Sequence, residues 1–322
     1  ERRLSYAEID ELSDRCAWAL AEVGVGRGDR VVVLLNNSIE TVIAAYGILK
    51  AGAVSVILEG SVKGRKLAYV IDNARAAALV SHTTKQRVVR EALAASRARQ
   101  FPVIWVGEPE KLGTAVGGYE YAWDALLESR QLSKRRDLPG TIDVDLALLI
   151  YTSGTTGEPK GVMSTHHNVV SAARSIIQYL ENEPDDVILN MLPLSFDYGL
   201  YQVIMAFMIG ATVVLERSFM YPEHTLRVAV RERATGLPIV PAVASLLFRL
   251  RDVSRYDLSS LRYITNTGAA LPVAYIRRLR GMFPRVRVFS MFGLTECKRV
   301  CFLPPSQLDR RPSSVGKAMP NC

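Results

Sequence analysis

Asp145-Leu146-Ala147-Leu148-Leu149-Ile150-Tyr151-Thr152-Ser153-Gly154-Thr155-Thr156-Gly157-Glu158-Pro159-Lys160-Gly161-Val162-Met163 passes from an apolar run through a glycine- and hydroxyl-rich loop into a second short apolar run. The first run is almost continuously apolar, the pattern of a strand buried on both faces. Gly154, Gly157 and Gly161 permit tight turns and close backbone approach. Thr152, Ser153, Thr155 and Thr156 supply hydroxyls, and with free backbone N–H groups they can converge on an anion. Lys160 adds a fixed positive charge. The combination reads as a polyphosphate cradle. It is not a Walker loop, because Glu158 and Pro159 separate Gly157 from Lys160 and a strand rather than a helix follows. Nor does it hold the G-x-G-x-x-G of a dinucleotide fold. An ordinary hairpin needs no such density of hydroxyls together with a lysine.

Outward from this loop, short β-rich runs alternate with longer helical patterns. Strands are expected at 30–35, 53–58, 77–81, 102–106, 145–151, 187–191, 211–215, 236–240, 261–265 and 286–290. Helices are expected at 6–23, 39–50, 63–73, 84–98, 166–180, 201–209, 224–233, 242–251 and 272–282. This order predicts an α/β protein with mainly parallel sheets and helices on their faces. The stretch 107–140, with Gly113, Gly117, Gly118 and a polar run at 133–137, breaks the rhythm. It reads as a surface excursion and a soft boundary between sub-lobes at 1–140 and 141–322.

The chain has 322 residues, 49% of them hydrophobic, and a formal net charge of +8. That composition supports a sizeable core and argues against disorder. Lys and Arg are scattered at helical spacing, so they read as solvated helix faces, without the concentrated patch of a nucleic-acid binder. Cys16, Cys297, Cys301 and Cys322 form no disulfide framework and no zinc set. The apolar run 203–215 is too short to span a bilayer. A cytoplasmic protein without a membrane span is expected. Glu1 in place of an initiator Met and the unfinished end at Pro320-Asn321-Cys322 suggest a fragment. His166-His167 adjoins a helix start and reads as capping or packing.

Thr152 to Gly161 resembles the signature loop of the adenylate-forming superfamily of acyl-CoA synthetases, firefly luciferases and nonribosomal peptide synthetase adenylation domains. The resemblance extends through Leu4-Ser5-Tyr6-Ala7-Glu8-Ile9, Leu49-Lys50-Ala51-Gly52-Ala53, Asn266-Thr267-Gly268-Ala269-Ala270-Leu271-Pro272 and Phe292-Gly293-Leu294-Thr295-Glu296. It implies the large N-terminal domain of that fold, truncated within 1–322 and with the small C-terminal domain absent. It also implies ATP-dependent activation of a carboxylic acid as its acyl-adenylate, pyrophosphate release, and transfer to a thiol of coenzyme A or of carrier-protein phosphopantetheine.

The residue roles follow the same resemblance. Thr152, Ser153, Gly154, Thr155, Thr156, Gly157 and Lys160 would hold phosphates. Gly268, Ala269, Ala270, Met291, Phe292 and Gly293 would hold adenine. Thr295 would contact the α-phosphate or acyl oxygen, and Glu296 would carry Mg²⁺. Phe196-Asp197, where acyl-CoA synthetases usually place a histidine, resembles the amino-acid-activating members, as in prolyl-AMP ligases. There Asp197 would pair with a substrate ammonium. Read alone, Asp197 serves equally well as a cap for the helix that follows. The ribose-binding Asp and the adenylating Lys of the family lie beyond these residues, so the fragment is expected to be feebly active at best. A non-catalytic nucleotide-binding scaffold is the alternative, and a phosphotransferase a third reading, separable because it would release ADP.

Overall fold

The protein was analysed as a computed structural model that describes residues 2–98, 100–108, 110, 118–128, 138–152 and 157–322. The chain divides into two compact units, Glu1–Val169 and Val170–Cys322. The division falls inside a helix instead of near residue 140. The reason is that the strands on either side of the glycine-rich loop join the first sheet.

The first unit begins with α1 (Tyr6–Glu22). Its start is a capping box: Ser5 Oγ accepts from the Glu8 N–H at 3.3 Å, and the Glu8 carboxylate accepts from the Ser5 N–H at 2.7 Å. Each side chain thus satisfies an orphan donor of the first turn. Then follow β1 (Arg30–Leu34), α2 (Ile39–Lys50), β2 (Val54–Leu58), α3 (Gly64–Ala74), β3 (Ala76–His82), α4 (Gln86–Ala95) and β4 (Val103–Val106). Within the excursion lie β5 (Glu120–Ala122) and α5 (Trp123–Glu128), which the sequence pattern did not disclose; the polar run at 133–137 lies outside the described residues. The unit closes with β6 (Leu146–Thr152) and β7 (Lys160–Thr165). The sheet order is β5-β4-β3-β1-β2-β6-β7, parallel throughout except for β7, which returns antiparallel to β6. Val32, Leu34, Val54, Val56, Leu67, Leu79 and Trp105 fill its core. The continuous apolar runs of β1 and β2 are buried because helices cover both faces of a parallel sheet.

The helix α6 (His166–Leu180) contains the division between units. The second unit continues with β8 (Val187–Asn190), α7 (Asp197–Ile209), β9 (Thr212–Leu215), α8 (Pro222–Arg231), β10 (Gly236–Ile239) and α9 (Pro241–Leu247). After these come β11 (Tyr263–Asn266), α10 (Val273–Met282), β12 (Arg287–Phe292), β13 (Cys301–Leu303) and β14 (Lys317–Ala318). The order is β14-β13-β12-β11-β10-β8-β9; the last five are parallel, and β13 and β14 form an antiparallel rim. Leu189, Leu237, Ile239, Ile264, Val288 and Leu303 form the core beneath α8 to α10.

Helix α7 starts at Asp197, four residues before the expected Tyr201. The sequence hides this start because Gly199 looks like a helix breaker. In the fold, a Cβ on Gly199 would overlap the carbonyl oxygens of Leu192 and Pro193, so glycine is required where the helix packs on its own incoming loop. Both units therefore have the expected architecture of mainly parallel sheets flanked by helices.

Candidate functional site

In the first unit the hydroxyl- and glycine-rich loop is the connection between β6 and β7. Ser153, Gly154, Thr155 and Thr156 lie outside the described residues. The flanks are ordered by the sheet: Thr152 pairs with Lys160 at the open end of the antiparallel ladder. Lys160 is exposed, and Gly157 has φ 109°, a conformation open to glycine. One helix holds both arms of the hairpin. The Tyr69 hydroxyl donates to the Pro159 carbonyl at 3.0 Å, and the Tyr151 hydroxyl donates to Asn73 Oδ1 at 2.6 Å. Tyr69 and Asn73 are four residues apart on α3, hence on one face.

In the second unit the other predicted residues collect at the carboxyl edge of the sheet. From β8 the chain crosses to β9 on one side and then to β10 on the other, which makes the loops after β8 and β10 diverge. In open α/β sheets such a switch point forms a ligand crevice. Phe196 and Asp197 follow β8, Val240 follows β10, Gly268 to Ala270 follow β11, and Gly293 to Glu296 follow β12. Phe196 Cζ lies 3.1 Å from where a Cβ on Gly268 would stand, and Gly268 has φ 81°, so a larger residue is excluded twice over. Gly268, Ala269 and Ala270 are exposed, as is Phe292, leaving a flat, small-residue ledge beside an aromatic face. Met291 differs from the expectation of a base contact through its side chain. Its sulfur accepts from the Tyr179 hydroxyl at 2.8 Å in the core, so only its backbone faces outward use.

Asp197 is 3% exposed, in the first turn of α7. It is not the N-cap; Phe196 is, without a side-chain cap bond. Its partner is a residue the sequence reading passed over. Arg299 Nη1 lies 3.5 Å from Asp197 Oδ2, with both side chains buried. Burial pushes the Asp197 carboxyl above the usual carboxylate range, opposed by Arg299, by Lys298 and by the Tyr198 N–H. Tyr198 joins these pieces. Its hydroxyl bonds the Thr265 carbonyl at 2.7 Å and Thr265 Oγ1 at 2.6 Å, and its ring lies 4.7 Å beneath the Arg299 guanidinium. Lys298 is also buried, with its ammonium donating to the Thr295 carbonyl at 2.7 Å. Burial lowers its pKa. The available signal for Lys298 and Arg299 was two adjacent cations at the mouth of an apolar strand, where the pattern predicts burial.

Glu296 is exposed on the same β12–β13 loop. Among the described residues no group of three His, Cys, Asp or Glu side chains stands together to hold a metal. A lone exposed carboxylate beside a threonine hydroxyl fits Mg²⁺, which keeps waters and takes one or two protein carboxylates together with phosphate oxygens.

The sequence profile of the AMP-binding enzymes matches residues 1–322. Long-chain-fatty-acid–CoA ligase FadD13 of Mycobacterium tuberculosis is 28% identical over 319 residues, covering 98% of this chain and 60% of its own length. A 3-hydroxybenzoate–CoA/4-hydroxybenzoate–CoA ligase of Thauera aromatica is 30% identical, covering 84% of this chain and 51% of its own. The chain therefore spans little more than half the length of these curated relatives. Among solved structures, VinN in complex with L-aspartate superposes with a TM-score of 0.83 at 32% identity, covering 98% of this chain and 76% of that one. Among the described residues no helix is long and apolar enough to cross a membrane.

Proposed function

Starting from a chain that belongs to the AMP-binding enzyme family, we propose that it activates an amino acid as its aminoacyl-adenylate, releasing pyrophosphate, and passes the acyl group to a thiol. The observation that carries the amino-acid reading is the buried carboxylate of Asp197 at the switch-point edge of the second sheet. A buried carboxylate held by a single 3.5 Å contact retains acceptor capacity, and a substrate ammonium is the group that would use it. The likeness to VinN, solved with L-aspartate and with 3-methylaspartate, supports the same class. Thiol acceptance by coenzyme A or by a carrier-protein phosphopantetheine follows from the ligase relatives and the family.

The reaction brings a substrate carboxylate onto the α-phosphorus of ATP. Both partners are anions, so neutralisation and alignment supply most of the catalysis. Lys160, with Thr152, Ser153, Gly154, Thr155, Thr156 and Gly157, holds the β- and γ-phosphates. The ledge of Gly268, Ala269 and Ala270, the Phe292 ring and the Gly293 backbone receive the adenine. Thr295 donates its hydroxyl to the α-phosphate or the acyl oxygen. Glu296 holds Mg²⁺, which when bound supplies positive charge to the phosphate oxygens. Asp197 fixes the ammonium, and Phe196 packs beside it.

Pyrophosphate exchange by the full-length protein, screened across amino acids and simple carboxylic acids, tests this reading. Amino acids should drive exchange, and Asp197→Ala should abolish it for them. Glu296→Gln should slow it by roughly a hundredfold or more. Exchange that survives both substitutions unchanged refutes the assignment.

A further inference from the structure

Asp197 does not stand alone: two buried cations from the β12–β13 loop share its surroundings. Lys298 and Arg299 are 3% and 2% exposed. One buried carboxylate against two buried cations leaves a positive charge uncompensated, and isolated buried charge is costly unless something neutralises it. The donors are also incompletely used. Arg299 Nη1 bonds the Lys298 carbonyl at 2.6 Å and reaches Asp197 at 3.5 Å, yet its Nε has no partner among the described residues. The guanidinium is a fork suited to two parallel bonds with a carboxylate. Thr267 offers a second unspent donor: it is 2% exposed and its hydroxyl has no partner. It sits between Thr265, which bonds Tyr198 under the Arg299 guanidinium, and Gly268, which faces Phe196. Buried polar groups in native structures are almost always satisfied, so unspent donors on this scale point to a ligand.

We infer that Arg299, Lys298 and Thr267 form an anion subsite beside Asp197, and that the acid activated here is an acidic amino acid. Such a molecule carries an ammonium for Asp197, one carboxylate to be adenylated and a second carboxylate for this subsite. Its net negative charge balances the uncompensated positive charge of the three side chains. A neutral amino acid leaves that charge unmet. A simple monocarboxylic acid meets it but gives Asp197 nothing to bind. The inference rests on the adenylating reading above and narrows its substrate.

The backbone is built for this placement. Lys298 has φ 64°, and a Cβ on Gly293 would overlap the Lys298 carbonyl oxygen. The loop thus folds back on itself and turns both cations inward, at a cost in strain that a functional site explains.

The test is pyrophosphate exchange by the full-length protein with L-aspartate and L-glutamate, against L-asparagine, L-alanine, succinate and butyrate. One of the two acidic amino acids should give the highest kcat/KM, at least tenfold above its amide and above its analogue without the amino group. Arg299→Met should raise the KM for that amino acid at least tenfold, leave the KM for ATP within twofold, and narrow the gap to the neutral amino acid. Thr267→Val, a smaller change to the packing, should move the same preference in the same direction, and circular dichroism should report both variants folded. Three results overturn the inference. Alanine or butyrate performing as well as the acidic amino acids makes the subsite structural. A rise in the KM for ATP alone assigns the cations to a nucleotide phosphate. Unaltered preference in Thr267→Val, with Arg299→Met unfolded, leaves the cluster to stability. Exchange with none of these acids and no other acid would instead sink the adenylating reading itself.

Discussion

Asp197 illustrates how one buried charge sets chemistry and pH response together. Burial raises its carboxyl above the ordinary range, so it gains a proton at a higher pH than an exposed aspartate. The sign follows directly. A raised carboxylate pKa means that the folded form binds the proton more tightly, so Asp197 burdens stability as pH rises through that value and relieves it as pH falls. Binding of a substrate ammonium needs the anion and runs the other way. The apparent affinity for the amino acid should therefore weaken as pH drops through the raised value. In Asp197→Asn that acid limb should vanish from a pH profile of the exchange KM, with the residual affinity flat. An acid limb that persists unchanged in the variant would assign it to another group. At the same scale, Cys16 is a buried thiol pushed up to about 12, an inert packing residue beneath α2 rather than a nucleophile. A Cβ on Gly47 of α2 would meet its sulfur at 2.6 Å.

Elements act as mounts. Helix α3 grips both arms of the β6–β7 hairpin through Tyr69 and Asn73, so the loop between those arms starts and ends at fixed points. Removing one hydroxyl should leave the fold in place, since a net hydrogen bond contributes about 1 kcal/mol. Tyr69→Phe is thus expected to raise the KM for ATP several-fold while shifting the unfolding midpoint by only a few degrees; an unchanged KM would make the contact purely structural. The opposite edge of the second sheet has a different task. Asp186, 1% exposed, accepts from Thr235 Oγ1 at 2.6 Å, from the Glu183 N–H at 2.9 Å and from Arg262 Nη2 at 3.3 Å. These residues precede β8, β10 and β11, so the cluster ties strand beginnings while the site occupies strand ends. Asp186→Ala strands the Arg262 charge and should cost about 3 kcal/mol in urea unfolding, without altering which acid is activated.

At the scale of the whole molecule, the net charge of +8 invites a polyanion, yet the surface distributes it. Arg2, Arg15, Arg27, Arg90, Arg255, Arg280 and Arg287 each stand within 3.2 Å of an acidic side chain. Each such exposed pair contributes little to stability, but together they break up any continuous basic stripe. A DNA duplex at physiological salt should accordingly show no saturable binding in fluorescence anisotropy. Each unit also has its own apolar core, one centred on Val32, Leu79 and Trp105 and the other on Leu189, Ile264 and Val288. Each sheet thus presents its own carboxyl edge, and the loops of function emerge from those edges.

The sequence by itself determined what depends on local periodicity and on dense motifs. It placed the strand–loop–strand at 145–163, the alternation of strands and helices, and the position of Gly268 to Ala270 and Thr295-Glu296 directly after strands, because apolar runs and glycine punctuation are read over a few neighbouring residues. Only the tertiary structure decided which sheet received β6 and β7, where α7 began, and that Met291 turned inward. It alone revealed that Asp197 meets Arg299, a residue 102 positions away. Such pairings are set by strand order and burial. Lys298 and Arg299 read as ordinary surface cations until the fold closes over them, because the cost of burying charge exists only once water has been removed.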